Sequence, residues 1–318
     1  MTCPSNRGAD DNDTLPADLL AALHSTFGEH AGCRATHAKG LVVAGTFTAS
    51  SGARRLSRAA HFRGSAIPVT MRFSTFSGVP TVTDAEATST PLGLGVRFRA
   101  APDQTTDLVA HTFDGFPVGA PRDFLRFLEA VAASVNESRP NPAPLEAFLE
   151  SNVSARRYLE ADKPLPRSFG STRYFGVNAF RLVAADGTVT TGRYRIDSLT
   201  PPDYVSDAER PLLPADYLTN ELTERLRRAP LSMQLVFQIA RAGDNTADGS
   251  IAWPHAGPDA REEVVLGELR IERVVHEAAV AARALDLDPG RLIDGLMLSD
   301  DPMVPVRSRV YRLGASRR

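Results

Sequence analysis

Eight segments with β-strand character dominate residues 41–274 of this 318-residue chain. The alternation is clearest in Leu231–Ala240, where apolar residues 231, 233, 235, 237 and 239 fall on one face and Ser232, Gln234 and Gln238 on the other. Eight such strands can close into an antiparallel barrel, and the same pattern equally permits a sandwich. The other seven segments are Leu41–Ala49, Val69–Phe76, Leu94–Ala100, Thr106–His111, Tyr174–Leu182, Thr188–Ile196 and Val264–Val274.

Helical patterns precede, interrupt and follow the strands. In Thr14–Phe27, Thr14 stands as N-cap, Pro16 in the first turn and Gly28 just past the end. The chain is therefore predicted to be α+β, with helices outside a β-rich core. No Pro/Gly-rich linker divides it, so residues 15–318 are predicted to form one domain after a disordered tail, residues 1–14. The other predicted helices are Pro121–Ser134, Pro144–Ser151, Ala155–Ala161, Pro214–Arg228 and His276–Leu285.

Composition narrows the class of partner. The net charge of −2 gives no reason to expect nucleic acid or an anionic membrane as a partner. Apolar runs fall short of the roughly 18 residues that a transmembrane helix needs. The polar, acidic N-terminus does not resemble a secretory signal, and the two cysteines, Cys3 and Cys33, form no CxxC pair. We therefore expect a cytoplasmic protein.

Two positions carry potential chemistry. His37 stands just before the first strand, where a histidine either caps or packs in the core, or serves as an acid/base group that is neutral near pH 7. Tyr311 follows Arg307 by four residues, so a helix would place both on one face. A guanidinium beside a phenol favours the phenolate, a good ligand for ferric iron. The alternative is an aromatic residue on an amphipathic helix with an exposed arginine.

Seven sequence segments, taken together, identify a protein family more specifically than His37 or Tyr311 does alone. They are Arg34-x-x-His37-Ala-Lys-Gly40, Met71-Arg-Phe-Ser-Thr75, Pro91–Phe98, Asp107–Val118, Tyr174-Phe-Gly-Val-Asn-Ala-Phe180, Asp244-Asn-Thr with Trp253-Pro254, and Ser299-Asp-Asp-Pro302 with Arg307-x-x-x-Tyr311. In this order and spacing, the chain from about residue 15 to its end resembles the catalase superfamily. The nearest resemblance is to its short branch, the catalase-related peroxidases or mini-catalases.

The resemblance implies a fold, a cofactor and an axial ligand. The fold would be an eight-stranded antiparallel β-barrel with surrounding helices, and the cofactor one haem b. Tyr311 would be the axial ligand of the haem iron, with Arg307 beside its oxygen. His37 would be the distal acid/base residue, and Ser74 would hold its ring by a hydrogen bond.

Four further residues take roles by the same resemblance. Arg34 and Arg72 would pair with haem propionates, which suits the bidentate guanidinium. Phe124 would pack against a porphyrin face, and Thr36 would stand at the mouth of the distal channel. Taken singly, Ser74 and Arg72 also fit ordinary strand positions, and Phe124 also fits plain core.

The distal segment departs from full-size catalases, which use an asparagine to position peroxide. Here His111 or Thr112 stands at that place. Weak or absent catalase activity is therefore expected, because a second hydrogen peroxide would be poorly oriented. The expected activity is reduction of hydrogen peroxide and organic hydroperoxides by a small external reducing substrate.

The chain extends only seven residues beyond Tyr311. Less protein over the haem implies wider access, and it favours a monomer or homodimer over an interlocked tetramer. Three alternatives stay open: an enzyme that isomerises lipid hydroperoxides, as allene oxide synthases do; a true catalase; and a barrel that binds a small apolar ligand without haem.

Overall fold

The computed structural model describes residues 7–135, 140–275 and 284–318. The strands are β1 Gly40–Ala49, β2 Ile67–Ser74, β3 Gly93–Ala101, β4 Gln104–His111, β5 Tyr174–Val183, β6 Val189–Ser198, β7 Leu231–Ile239, β8 Glu263–Val274 and β9 Leu296–Leu298. The described helices are α1 Arg7–Phe27, α2 Ser51–Leu56, α3 Pro121–Ser134, α4 Ala143–Ser151, α5 Val153–Glu160, α6 Tyr217–Arg228 and α7 Met303–Ser316.

The strands form a closed antiparallel barrel. Hydrogen-bonded neighbours run in the order β4-β3-β2-β1-β8-β7-β6-β5, and His111 of β4 pairs with Phe175 of β5 to close the circle. The predicted eight-stranded barrel is thus confirmed, and the sandwich is excluded. Strand β9 adds to β5 through residues 296–298; it was not predicted, because three residues are too few to show alternation.

The barrel interior is filled by alternate residues of the strands. Val43, Phe47, Met71, Phe73 and Phe237 have no exposed surface and belong to one core cluster. Each such side chain contributes about 1.5–3 kcal/mol when it leaves water. Because side chains alternate between the two faces of a strand, residues 72 and 74 of β2 lie on the outer face of the barrel.

Three helices cover part of that outer face. Helix α1 packs against both α3 and α7. Their shared apolar cluster includes Leu19 and Leu23 of α1, Phe127 and Leu128 of α3, and Val306 of α7. The predicted arrangement of helices outside a β-rich core is therefore correct, and this layer forms the opposite wall of the functional cavity. Among the helices described, none has the length and apolar character that crossing a membrane requires.

Several predicted boundaries were wrong, among them the start of α6 at Tyr217 instead of Pro214, and one prediction falls on undescribed residues. Helix α1 begins at Arg7 instead of Thr14, so it extends into the tail predicted to be disordered, and Pro16 lies inside it. Strand β2 ends at Ser74, since the Phe76 N–H turns away to donate to the Ser89 carbonyl at 2.8 Å. The predicted helix His276–Leu285 lies largely within residues 276–283, outside the described residues, as do residues 1–6 of the predicted tail.

The β1–β8 register yields a stability prediction. The pairing register of β1 with β8 shifts by one residue between Ala44 and Gly45. A Cβ added at Gly45 would lie 1.9 Å from the Arg270 carbonyl oxygen. Gly45→Ala should therefore lower the free energy of unfolding by roughly 1–3 kcal/mol, because backbone must move. Urea unfolding followed by circular dichroism measures it.

Gly314→Ala is the matched control, because the nearest atom to its added Cβ is Leu20 Cδ1 at 3.8 Å. It should be neutral or stabilising by up to about 1 kcal/mol, since alanine favours helix. Equal midpoints for Gly45→Ala and the unsubstituted protein would show that this register is wrong.

Candidate active site

His37 adopts a left-handed backbone conformation, with φ of 57°. A residue other than glycine is strained there and persists only where its surroundings hold it. The His37 N–H donates to the Phe76 carbonyl at 2.8 Å, and the next amide, Ala38, donates to the Ser77 carbonyl at 3.0 Å. The His37 carbonyl accepts from Arg72 Nη2 at 2.8 Å. The strain therefore sets the direction in which the imidazole leaves the backbone.

The imidazole ring is held by polar contacts on one nitrogen. His37 Nδ1 lies 2.9 Å from the Thr75 carbonyl oxygen and 3.1 Å from Ser74 Oγ. Because a carbonyl only accepts, Nδ1 carries the proton, and Nε2 is left with a free lone pair. A Cβ at Gly93 would lie 2.7 Å from Nδ1 and 2.8 Å from Ser74 Oγ, so only glycine leaves room for this ring.

The barrel register aligns further groups beside this ring. Gly93 pairs with Ser74 on one side and with His111 on the other, which places the three positions in one row across β2, β3 and β4. The His111 side chain lines the cavity. The Thr112 hydroxyl instead accepts from the Leu92 N–H at 3.0 Å. Of the two residues predicted at the asparagine position, the structure brings His111 to the cavity and places Thr112 in the backbone network.

Both cavity histidines are held neutral. Burial, followed by the charge of Arg72, lowers the pKa of His37 to about 3. Burial, followed by the charge of Arg307, lowers the pKa of His111 to about 3. His111 Nδ1 accepts from the Phe113 N–H at 3.4 Å, so the single proton of its neutral ring is on Nε2. The two rings therefore supply one acceptor and one donor.

The opposite wall of the cavity is helix α7. Arg307 and Tyr311 stand one turn apart, with Arg307 Nη2 3.4 Å from the phenol oxygen. Arg307 also donates to Asn178 Oδ1 of β5, and Asn178 Nδ2 donates to Asp301 Oδ2 at 2.7 Å. Asp301 is 2% exposed and accepts the Met303 N–H at the start of α7. This chain of contacts ties the helix to the barrel and orients Arg307.

Sequence reasoning missed the roles of Asn178 and Asp301. Both stand inside segments that it singled out, Tyr174–Phe180 and Ser299–Pro302. The available signal was an amide and a carboxylate within two of the segments that resemble the family. Nothing along the chain indicates, however, that residues 178, 301 and 307 meet.

Three arginines gather at one end of the cavity. Arg34, Arg72 and Arg318 all line it, and Arg34 donates to the Leu285 carbonyl. Burial, then repulsion from Arg34 and Arg318, lowers the pKa of Arg72. Burial and then Arg318 lower the pKa of Arg34 to about 10. The Nε atoms of Arg72 and Arg318 are buried without a hydrogen-bond partner among the described residues. This end of the cavity suits an anionic ligand, and Arg318 was not foreseen.

Most predicted site residues thus share one cavity between the barrel and the helices. It is lined by Arg34, Thr36, His37, Arg72, Ser74, His111, Arg307 and Tyr311. The Thr36 hydroxyl donates to the Phe76 carbonyl at 2.7 Å. Phe124 lies outside this cavity, with its ring 4.8 Å from that of Phe116. Its packing against a porphyrin face stays a prediction.

A second, larger space opens directly from the first. This apolar chamber has a volume of about 680 Å³ and is bounded by α1, by α3 and by the loops that follow β2 and β4. Thr36, His37, His111 and Tyr311 line both spaces, so the two are continuous. Phe124 and Lys163 belong to the chamber's wall.

A closed eight-stranded barrel with a layer of helices over a cavity on its outer face defines the class of fold to which catalases belong. The family model for catalase matches residues 18–318. The chain therefore belongs to the catalase family, which is haem-dependent.

Two curated relatives are similar over almost their whole length. A catalase-related peroxidase of Mycolicibacterium paratuberculosis is 33% identical over 299 residues, which are 93% of this chain and 92% of the relative. A catalase-related peroxidase of Synechococcus elongatus is 29% identical over 306 residues, or 95% of this chain and 88% of the relative.

Solved structures share the fold. A bacterial catalase superposes with a TM-score of 0.78 at 21% identity, and a fungal catalase with a TM-score of 0.81 at 18% identity. Each match covers 91% of this chain, and the chain spans 58% and 60% of those two proteins.

The lowered pKa values predict which histidines stay neutral. His37, His111 and the barrel-interior His61 each have a pKa of about 3, chiefly through burial. Unfolding returns each to about 6.5, so between these values the unfolded chain binds more protons than the folded chain. The free energy of unfolding contributed by these groups therefore falls as pH drops from about 6.5 towards 3.

Nuclear magnetic resonance of histidine-labelled protein measures this. Three resonances should not titrate between pH 5 and 8, and His37→Gln, His61→Gln and His111→Gln should each remove one of them. A His37 signal that moves with a midpoint near 6.5 would contradict the buried, neutral state.

Proposed function

We propose that this chain holds one haem b and reduces hydrogen peroxide and organic hydroperoxides with a small external electron donor. One observation carries the proposal: a single cavity joins a neutral His37, with a free Nε2 lone pair, to Tyr311 beside Arg307. Membership of the catalase family, and relatives called catalase-related peroxidases, support it.

The residues fit an iron porphyrin with two carboxylates. The Tyr311 phenol is a ligand type for ferric haem, and Arg307 puts positive charge beside its oxygen. Buried, unpartnered Nε atoms on Arg72 and Arg318 suit propionates, and Arg34 adds charge at the same end. Within the described residues, no three His, Cys, Asp or Glu side chains meet as a metal site. The porphyrin would therefore supply the remaining iron ligands.

Haem, when bound, would supply the iron at which the O–O bond of the peroxide breaks. His37 Nε2 is the acceptor for the proton of the hydroperoxide group, and it returns that proton to the departing oxygen. His111 Nε2–H donates a hydrogen bond that holds the peroxide in place. The Ser74 hydroxyl and the space left by Gly93 hold the His37 ring in this orientation.

The overall reaction is ROOH + 2 e⁻ + 2 H⁺ → ROH + H₂O. Two molecules of a phenolic donor each give one electron and one proton. With His111 in place of the asparagine of full-size catalases, a second hydrogen peroxide would be poorly oriented for the second half of a catalase cycle. We propose weak or no catalase activity for this reason.

Residues 15–318 are proposed to act as one domain, because the family match spans residues 18–318 without a break. The oligomeric state is proposed to be a monomer or homodimer. Sedimentation velocity of the haem-loaded protein distinguishes these from a tetramer.

The proposal is tested by an absorption spectrum followed by peroxide turnover. We expect one ferric haem per chain, and oxidation of a phenolic dye with stoichiometric conversion of cumene hydroperoxide to its alcohol. A colourless protein after haem is supplied would sink the proposal. Rapid oxygen release from hydrogen peroxide would indicate a true catalase, and rearranged product from a lipid hydroperoxide without dye oxidation would indicate an isomerase.

Two variants test the roles of Tyr311 and His37, on opposite walls of the cavity, independently. Tyr311→Phe should lose most of its haem, because the axial oxygen is removed, as read from the haem-to-protein absorbance ratio. His37→Ala should keep its haem and react with hydroperoxide roughly 10²–10⁴-fold more slowly in stopped flow, the range typical of a lost general acid/base. Full haem content in Tyr311→Phe would exclude Tyr311 as ligand, and an unchanged rate in His37→Ala would remove His37 from the reaction.

A further inference from the structure

The left-handed turn at His37 is held by residues that end β2 and begin the loop after it. The Thr75 carbonyl accepts from the imidazole, and the Phe76 carbonyl accepts the His37 N–H. The Ser77 carbonyl accepts the next amide of the chain. The Phe76 ring packs edge-on against the imidazole, with the two ring centroids 5.6 Å apart. The orientation of His37 therefore depends on what fixes this segment.

Two backbone contacts fix the segment from behind. The Thr75 N–H donates to the Lys39 carbonyl at 3.2 Å, and the Phe76 N–H donates to the Ser89 carbonyl at 2.8 Å. The Ser89 side chain is fully buried, and its hydroxyl donates to the Thr83 carbonyl at 2.6 Å. The loop that begins near Thr83 thus carries the acceptor for Phe76.

The Lys39 ammonium group anchors this loop to the rest of the chain. It forms a 2.7 Å ion pair with Asp84, whose side chain is 1% exposed, and it donates to the Val82 carbonyl at 3.0 Å. It also donates to the Ala215 carbonyl at 2.9 Å and forms a 2.7 Å ion pair with Asp216, just before α6. One cation, two residues along the chain from the imidazole, therefore joins this loop to α6.

Asp84 is the buried partner of this cation. Its N–H donates to the Ala215 carbonyl at 2.8 Å, and its Oδ2 accepts the Leu218 N–H at 2.9 Å in the first turn of α6. Burial raises the pKa of Asp84, and the hydrogen bond and charge of Lys39 oppose that rise. The buried carboxylate is therefore compensated chiefly by Lys39.

We propose that Lys39 is a positioning residue for His37, and that it acts through Asp84 and the loop of residues 82–90. The contacts form a closed path, which leaves the imidazole through residues 75–76, crosses the loop and returns through the ammonium group to the same turn. Lys39 lines neither the cavity that contains His37 nor the apolar chamber, so it does not touch the reacting atoms. Without the ammonium group the loop is released, and the imidazole loses the fixed carbonyl that keeps its proton on Nδ1.

The test variant is Lys39→Met combined with Asp84→Asn, because removing the cation alone leaves a buried carboxylate without its partner and can unfold the protein. The two substitutions nearly preserve side-chain size and remove both charges. We expect the haem-loaded variant to keep its haem and to react with cumene hydroperoxide about 10- to 100-fold more slowly in stopped flow, because the proton acceptor is misplaced. An unchanged rate would refute the proposal.

A double-mutant cycle shows whether the effect passes through His37. In a His37→Ala background, the same two substitutions should change the rate by less than about twofold, because no imidazole is left to position. A purely structural effect would lower the rate by the same factor in both backgrounds. Equal factors would therefore overturn the positioning role.

The matched control is Arg261→Met combined with Asp244→Asn. It removes a 2.5 Å ion pair whose side chains are 15% and 9% exposed, against 15% and 1% for Lys39 and Asp84. Neither control residue lines the cavity or the chamber, so the rate should equal that of the unsubstituted protein. A loss as large as in the test variant would show that removing any buried ion pair has this effect, and the role assigned to Lys39 would fail.

The effect of Lys39 on reaction rate rests on the proposed peroxidase function, whereas its effect on the ring does not. Nuclear magnetic resonance of the full chain, labelled with ¹⁵N-histidine and with gallium(III) protoporphyrin added as a diamagnetic substitute for haem, reads the ring without turnover. His37 should show one tautomer, with its proton on Nδ1, and in the test variant its two nitrogen signals should move towards their average.

The two proposals can therefore fail separately. If no hydroperoxide is reduced but the His37 tautomer changes in the test variant, the peroxidase function fails and the positioning role stands. If cumene hydroperoxide is reduced and the tautomer is the same in both proteins, the positioning role fails and the peroxidase function stands.

Discussion

Closure of the sheet by the β4–β5 pair is the constraint on which the rest of the structure depends. Without the pairing of His111 with Phe175, β4 would present an unpaired edge to solvent, and so would the part of β5 that β9 does not cover. Closure also fixes the site, because His111 ends β4 at this junction and Gly93 and Ser74 lie beside it in register. Asn178, three residues further along β5, then receives Arg307 and thereby locates α7 over the same point.

Charge in the cavity is divided between two regions. Arg34, Arg72 and Arg318 concentrate positive charge at one end, where Arg34 and Arg72 donate to backbone carbonyls and the buried Nε atoms of Arg72 and Arg318 have no partner among the described residues. The histidines stay neutral chiefly because they are buried, and secondly because of the charge of Arg72 on His37 and of Arg307 on His111. Arg72 connects both effects, since it donates to the His37 carbonyl while its charge disfavours protonation of the His37 ring. Burial is the main reason that this base is neutral well below pH 7, and Arg72, at the anion-binding end, adds to it.

Much of this arrangement could be predicted from local pattern and motif spacing. Local β-strand character predicted all eight barrel strands, and alternation was clearest in β7, where one face lies in the core. The i, i+4 spacing predicted that Arg307 and Tyr311 share a helix face. The contact made by Thr112 and the existence of the apolar chamber could not be predicted in this way. Whether residue 111 or 112 enters the cavity depends on which face β4 turns outwards, and the Thr112 hydroxyl is engaged by the Leu92 amide from a neighbouring strand.

The sequence by itself determined the eight barrel strands, the family and the chemical identities of the site residues, since these depend on side-chain type and spacing along the chain. Only the tertiary structure decided which residues meet. The left-handed turn at His37, the Arg307–Asn178–Asp301 contacts and the ion pair of Lys39 with Asp84 all join segments distant in sequence. Their reason is barrel closure and helix packing, which bring far-separated residues into contact and set the burial that controls their charge.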